Sequence, residues 1–125
     1  MSKNIVLTND APAPIGPYNQ AVMSGNTLYV SGQIALDTEG NLISGGIEKE
    51  TDQVMKNIGA ILEAAQMTYD NIVKCTIFIK DMTQFSNINS AYGKYFSDNA
   101  PARETVEVSR LPKDVNVEIS CIAVK

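Results

Sequence analysis

The stretch Pro101-Ala102-Arg103-Glu104-Thr105-Val106-Glu107-Val108, together with the later run Val115–Val124, decides the fold predicted from this sequence. Apolar and polar residues alternate from Thr105 to Val108, which predicts a short strand. The segment Leu111-Pro112-Lys113-Asp114 breaks this pattern, and the alternation resumes from Val115 to Val124. The C-terminal part of the chain therefore predicts two strands separated by a proline-containing turn.

Arg103 stands at the entry to the first of these strands, directly after a proline-led approach. The planar fork of arginine suits bidentate recognition of a carboxylate or a phosphate. The alternative is a salt bridge on the surface or at an interface. Spacing alone favours that alternative, because one arginine does not make a site.

The composition excludes several classes of protein. A chain of 125 residues fits one domain, residues 1–125, and a net charge of −4 disfavours a nucleic-acid binder. No apolar run is long enough for a membrane span, and no signal segment is present. Cys75 and Cys121 are too few for a disulfide framework, which predicts a cytoplasmic protein. Because the chain has no histidine, imidazole bases and histidine-rich metal sites are excluded.

Two amphipathic helices are predicted between the strands. Val54, Ile58 and Leu62 recur at helical spacing within residues 47–66, and a second helix is predicted from Asp81 to about Ser97. Strands are predicted at residues 4–8, 18–24, 27–31, 72–80, 105–108 and 115–124. The order β-β-β-α-β-α-β-β predicts an α+β fold, with both helices on one face of a sheet of about six strands.

The other face of this sheet has a mixed composition. We expect it to carry Tyr29, Ser31, Lys74, Thr76, Phe78, Glu118, Ser120 and Ile122. One interpretation is a half-solvated antiparallel face. The other is a subunit interface, because interfaces combine aromatic residues with well-placed polar groups. Two helices can cover only one face of so wide a sheet, which favours the interface.

Several stretches, taken together, resemble one protein family. They are residues 15–21 (IGPYNQA), 30–34 (VSGQI) and 73–81 (VKCTIFIKD), Asn89 with Tyr92, and the stretch from Pro101 through Leu111-Pro112-Lys113-Asp114-Val115. In this order and spacing they are similar to the RidA/YjgF-like reactive intermediate deaminases. The resemblance extends over almost the whole chain.

The resemblance implies a chorismate-mutase-like α+β fold assembled as a homotrimer, with the three sheets lining a barrel and the sites lying between subunits. Members of this family hydrolyse 2-imino and 2-enamino acids, such as 2-aminoacrylate, 2-iminopropanoate and 2-iminobutanoate. The products are 2-keto acids and ammonia, and no cofactor or metal is needed. The implied partners are therefore a small 2-imino or 2-keto carboxylate and further copies of the chain.

The resemblance also implies roles for individual residues. Arg103 matches the arginine that binds the substrate carboxylate, while Tyr18, Ser31 and Asn89 match residues that line the cleft. Gly32 would let the backbone approach the ligand, and Thr105 occupies a position where many members have cysteine. Each residue also has a purely structural interpretation: packing for Tyr18, a strand end for Ser31 and Gly32, and bracing of a helix for Asn89.

The last strand departs from the family pattern. Many members read E-I-E-A where this chain has Glu118-Ile119-Ser120-Cys121, so the glutamate expected to activate water is interpreted as Ser120. We therefore predict Arg103, Ser120 and Tyr18 as catalytic residues of a deaminase with reduced activity, in which water is held near Ser120 or Tyr18. The alternative is a non-catalytic trimer that binds carboxylates. A nuclease is disfavoured by the acidic charge and the lack of histidine.

Overall fold

The computed structural model describes residues 3–125 and contains six strands and two α-helices in the predicted order. Three single-turn 3-10 helices, Tyr69–Asn71, Met82–Gln84 and Pro112–Asp114, connect some of these elements. The strands are β1 (Asn4–Val6), β2 (Ala21–Ser24), β3 (Thr27–Gln33), β4 (Ile72–Ile79), β5 (Ala102–Glu107) and β6 (Val117–Val124); the helices are α1 (Ile47–Ala64) and α2 (Phe85–Gly93).

All six strands form one mixed sheet in the order β1-β2-β3-β6-β4-β5. Every neighbouring pair is antiparallel except β4 and β5, which are parallel and are joined through α2. A parallel pair needs such a crossover, because the chain must return to the same end of the sheet. The C-terminal strand β6 therefore lies in the middle of the sheet, and β5 lies at an edge.

Both helices pack on one face of the sheet, as predicted. The apolar stripe of α1 is fully buried, with Val54, Ile58, Ile61 and Leu62 at 0% exposure. Ile88 and Tyr92 of α2 belong to the same core as this stripe and the inward residues of β3, β4 and β6. Burial of large aliphatic side chains of this kind contributes about 1.5–3 kcal/mol each.

Gly59 lies in the middle of α1, where glycine lowers helix stability. A Cβ at this position would collide with the hydroxyl of Tyr69, in the 3-10 turn that precedes β4. The same hydroxyl donates a hydrogen bond to the Met55 carbonyl, 2.7 Å away. Gly59 thus marks close packing against an aromatic side chain.

Two local predictions were wrong. Alternation along residues 72–80 predicts that Val73 shares the buried face with Cys75, Ile77 and Ile79. Val73 is instead 49% exposed, because the register with β6 shifts between Ile72 and Lys74 and Ile72 is the buried residue. The second helix was predicted from Asp81, but Asp81 caps the 3-10 turn Met82–Gln84 and α2 begins only at Phe85. A short polar cap is compatible with either helix type, so the pattern could not separate the two.

The face of the sheet opposite the helices is half exposed, as its mixed composition suggested. Strand register aligns its side chains in rows that run across the sheet. One row is largely apolar, another polar, and a third contains the acid of β6. The first row is Ile5, Val22, Tyr29, Ile122, Lys74 and Ala102; the second includes Ser120, Thr76 and Glu104; the third includes Glu118, Phe78 and Val106.

Candidate active site

Arg103 lies on the edge strand β5 and projects on the helix side of the sheet. Its register partner on the parallel neighbour β4 is Cys75, which is fully buried in the core. One terminal nitrogen of the guanidinium, Nη1, donates a hydrogen bond of 2.6 Å to Oδ1 of Asn89 on α2. Two residues predicted to contact the ligand, Arg103 and Asn89, therefore contact each other.

The positive charge of Arg103 is not neutralised by a carboxylate within residues 3–125. The ion pairs in this range join Lys74 to Glu104, Lys80 to Asp114 and Lys94 to Asp52. Within one chain, the salt-bridge interpretation of Arg103 is therefore not supported. A half-buried guanidinium with free donors is suited to an external carboxylate.

Thr105 follows Arg103 by two residues on β5 and so projects on the same face of the sheet. Its hydroxyl oxygen is buried and has no hydrogen-bond partner in the described part of the chain. An unsatisfied buried hydroxyl costs free energy. A ligand bound at Arg103 could supply the missing partner.

A second group of predicted residues surrounds a cavity of about 370 Å³ at the β2–β3 side of the sheet. Tyr18, Ser31 and Gly32 line it, together with Glu118 of β6. The remaining wall is largely apolar and includes Ile15, Ile34, Leu36 and Pro112. The cavity thus combines a few convergent polar groups with apolar walls, which is typical of small-molecule sites.

The polar groups at this cavity are held by the loop before β2. The Ser31 hydroxyl donates to the Asn19 carbonyl at 2.6 Å, and the Tyr18 hydroxyl accepts from the Ile15 amide at 3.3 Å. The loop in turn is organised by Gln20, whose side chain is 1% exposed. This side chain accepts from the Thr8 amide and donates to the carbonyls of Thr8, Ala11 and Pro12.

Glu118 is the acidic residue of the cavity, and the sequence pattern did not single it out. The carboxylate lies against the backbone of Gly32: a Cβ at position 32 would be only 2.8 Å from Cδ of Glu118 and closer still to one carboxylate oxygen. Burial raises the pKa of Glu118, so the carboxyl group holds its proton more readily than an exposed glutamate does. A raised pKa suits the group to proton transfer. Glu118 forms no ion pair with another residue in the range 3–125.

Ser120 occupies the same face of β6 as Glu118, two residues further along. It pairs in register with Thr76 of β4 and does not belong to the cavity wall. Its predicted role in holding water stays a prediction, and Glu118 is the stronger candidate for that role. Glu118 and Ser120 share one face of a period-2 strand, so only the register of β6 against β3 distinguishes them.

The two groups of residues do not meet within one chain. Arg103 is on β5 and Ser31 is on β3, and the strands β6 and β4 lie between them. Three strand spacings amount to about 14 Å. Moreover, Arg103 projects on the helix side, whereas Glu118 projects on the mixed face. A site that uses both residues therefore requires a second copy of the chain.

The cysteines do not offer a nucleophile. Cys75 and Cys121 are register partners on β4 and β6, and both are buried with free thiols. Burial raises the pKa of each thiol, which disfavours the reactive thiolate. Residues 3–125 also contain no cluster of acidic or cysteine side chains arranged to hold a metal ion. Neither helix in this range has the length and apolar content of a membrane span.

The chain is similar to several known proteins over almost its whole length. The family model described as Endoribonuclease L-PSP matches residues 8–125. The chain is 48% identical over 124 residues to a RutC family protein of Pyrococcus horikoshii, covering 98% of each. It is 42% identical over 124 residues to the human 2-iminobutanoate/2-iminopropanoate deaminase, covering 98% of this chain and 90% of the human one. It also resembles the crystal structure of E. coli TdcF with bound serine, with a TM-score of 0.92, 38% identity and 98% of both chains covered.

Proposed function

Because this chain belongs to the Endoribonuclease L-PSP family, which is the YjgF/RidA family, we propose that it hydrolyses reactive 2-imino and 2-enamino acids to 2-keto acids and ammonia. The expected substrates are 2-aminoacrylate with its tautomer 2-iminopropanoate, and 2-iminobutanoate. Human, mouse and bovine relatives at 42–44% identity carry the name of this activity. The bound serine of TdcF, a small amino acid with a carboxylate, supports a site of suitable size and charge.

The proposal rests on the presence of two complementary groups. The cation of Arg103 has no carboxylate partner within residues 3–125, and Glu118 is a half-buried acid. In the proposed reaction Arg103 binds the substrate carboxylate through two hydrogen bonds. Water adds to the carbon of the protonated C=N group while the Glu118 carboxylate accepts one proton of the water, which gives a neutral carbinolamine. Glu118 then returns this proton to the amino nitrogen, the C–N bond breaks, and the hydroxyl proton passes to the departing ammonia, so that the 2-keto acid and ammonium are formed. A protonated imine is already electrophilic, so one weak base is sufficient.

The separation of Arg103 from Glu118 supports a site between two copies of the chain. We propose a homotrimer in which the half-exposed face of the sheet, with its apolar row from Ile5 to Ile122, forms the contact between copies. In this arrangement Arg103, Asn89 and Thr105 of one copy face the cavity of Tyr18, Ser31, Gly32 and Glu118 in the next. Oligomers with closed symmetry repeat one such interface at every contact.

Two other functions have less support. A non-catalytic carboxylate-binding trimer was the alternative because Ser120 stands where the family pattern has a glutamate. Glu118, however, lies in the cavity wall and places a carboxylate there. A nuclease would need a basic surface for phosphates, and the chain has a net charge of −4 and no histidine. Neither alternative accounts for a cavity that contains a carboxylate.

A coupled assay tests the proposed activity. A pyridoxal-phosphate threonine dehydratase supplies 2-iminobutanoate, semicarbazide traps whatever imine escapes hydrolysis, and the protein competes with the trap. Wild type should suppress trapping, whereas Arg103→Ala and Glu118→Gln should not. If Ser120→Ala abolished suppression and Glu118→Gln left it intact, the assignment of Glu118 would be wrong. If wild type never suppressed trapping, the proposed function itself would fail.

A further inference from the structure

The guanidinium of Arg103 lies against one face of α2. Phe85, Asn89 and Tyr92 are spaced four and three residues apart, so they lie on the same side of the helix. The guanidinium carbon is 5.6 Å from the centre of the Phe85 ring and 5.2 Å from the centre of the Tyr92 ring. Both distances are within the range of cation–π attraction.

The spacing along the helix indicates where the guanidinium lies. Seven residues separate Phe85 from Tyr92, which corresponds to about 10 Å along a helix axis. A carbon about 5 Å from each ring centre is therefore between the two rings, at the level of Asn89. Tyr92 is itself fixed, since it is 6% exposed and packs on Phe96 with ring centres 4.9 Å apart. Phe85 is 37% exposed and forms the outer wall.

The hydrogen bond to Asn89 determines which donors stay free. Asn89 occupies a proton of Nη1, so the edge formed by Nε and Nη2 retains two parallel N–H groups. A carboxylate binds such an edge with two hydrogen bonds. The two rings restrict the position of the guanidinium, and the hydrogen bond to the Asn89 amide restricts its rotation.

We infer that Phe85 and Tyr92 are positioning residues that, together with Asn89, hold Arg103 with its Nε–Nη2 edge directed at the ligand carboxylate. This inference rests on the proposed function only for the nature of the ligand. Holding the fork before binding lowers the entropy cost of bidentate recognition. A lysine at position 103 could neither stack between the rings nor present two fixed donors.

The orientation is measured by NMR of the arginine side chains in the full-length protein labelled with ¹⁵N-arginine. The chain has only two arginines, and Arg110 is exposed, so it serves as an internal control. Arg103 should show separate Nη signals and slow rotation, and Arg110 should show averaged ones. Phe85→Leu should average the Arg103 signals, whereas Phe85→Tyr should preserve them. The matched control is Tyr95→Leu, because the ring of Tyr95 packs on Tyr69, and the cation–π contacts of Arg103 within residues 3–125 are with Phe85 and Tyr92.

The consequence for binding is measured by calorimetric titration with 2-oxobutanoate, the stable product that hydrolysis of 2-iminobutanoate would yield. Phe85→Leu should raise Kd roughly fivefold to tenfold, and Phe85→Tyr should stay close to wild type. Averaged Arg103 signals in wild type, or a Phe85→Leu variant with unchanged signals and unchanged Kd, would overturn the inference. If wild type bound no keto acid, the proposed function would fail, while the NMR comparison would still decide whether the rings hold the guanidinium.

Discussion

Gly32 of β3 and Glu118 of β6 are in contact across the sheet, and a single added methyl group at position 32 would occupy the place of the Glu118 carboxylate. The backbone of β3 is thus shaped to admit this acid. The strand register is irregular at the same place, with a shift between Val30 and Gln33. Such irregularities redirect side chains and are common beside active sites.

Gly32→Ala should displace the Glu118 carboxylate and lower deaminase activity by at least about tenfold, because the proton-transfer group leaves its position. Keto-acid binding at Arg103 should fall less, since that residue is on another strand. The imine-trapping assay and calorimetric titration measure the two effects. Gly93→Ala is the matched control, because a Cβ there meets no atom within 4 Å. Equal activity in both alanine variants would contradict the role of Glu118.

The raised pKa of Glu118 predicts a pH dependence of stability. A carboxyl group whose pKa is higher in the folded than in the unfolded protein binds more protons when folded, so its contribution to stability falls as pH rises through the interval between the two pKa values. Glu118→Gln removes this titration. The Tm of the variant relative to wild type should therefore rise as pH is raised above the ordinary pKa of glutamate, about 4.3. Differential scanning calorimetry at several pH values measures it, and a constant difference in Tm would contradict the prediction.

Glu118→Gln should also change the pH profile of turnover. If Glu118 accepts a proton from water, wild-type kcat should fall at low pH as the carboxylate becomes protonated. In Glu118→Gln the residual activity should be low, and it should not fall further at low pH. Ser120→Ala is the control, because Ser120 lies outside the cavity wall and should retain the wild-type profile. A low-pH limb that persists in Glu118→Gln would assign the titration to another group.

Gln20→Ala should destabilise the protein by about 2–4 kcal/mol, because it leaves several buried backbone groups without partners. The same change should loosen the loop that carries Tyr18 and so lower activity more than keto-acid binding. Urea unfolding measures the free energy of unfolding. Gln84→Ala is the control, since the Gln84 side chain accepts a hydrogen bond from the exposed Asn87 side chain and none of the Gln20 bonds involves it. A loss below about 0.5 kcal/mol would show that the Gln20 bonds do not organise the loop.

Most of the fold could be predicted from periodicity, and the reasons for the exceptions are local. The buried stripe of α1 and the inward residues of β6 repeat without interruption, so the pattern identified them correctly. Val73 was misassigned because one extra residue in β4 reverses the face of every residue on one side of it. No pattern in a single strand records such a bulge, which becomes visible only in its pairing with β6.

The candidate site was predicted less completely than the fold. Arg103 and Asn89, whose roles were assigned through family resemblance, form a hydrogen bond that the sequence did not predict, and their roles in ligand binding stay predictions. The role of holding water was predicted for Ser120 from the family pattern and stays a prediction; Glu118 became the stronger candidate only because it lies in the cavity wall, which spacing along β6 does not indicate. Gln20 was not singled out, although a buried amide beside a proline-rich loop is a usual means of satisfying backbone groups that cannot join a ladder.

Ile122→Lys should disrupt the proposed trimer, because it places a second positive charge beside Lys74 and removes the last large apolar side chain of the apolar row on the half-exposed face. Analytical ultracentrifugation should then show a lower molecular mass than for wild type. Met82→Lys is the control, since Met82 is 40% exposed but lies in the 3-10 turn before α2, away from this face. An unchanged mass for Ile122→Lys, or a monomeric wild type, would contradict the proposed interface.

The central claim, that Arg103 of one copy acts with Glu118 of another, is tested most directly by mixing two inactive variants. Arg103→Ala and Glu118→Gln are unfolded together in equal amounts, refolded, and compared with each variant refolded alone. In a random mixture about a quarter of the sites combine an intact arginine with an intact glutamate, so imine hydrolysis should recover to about that fraction of wild type. If the refolded mixture were an oligomer as inactive as the separate variants, the two residues would not share a site between copies.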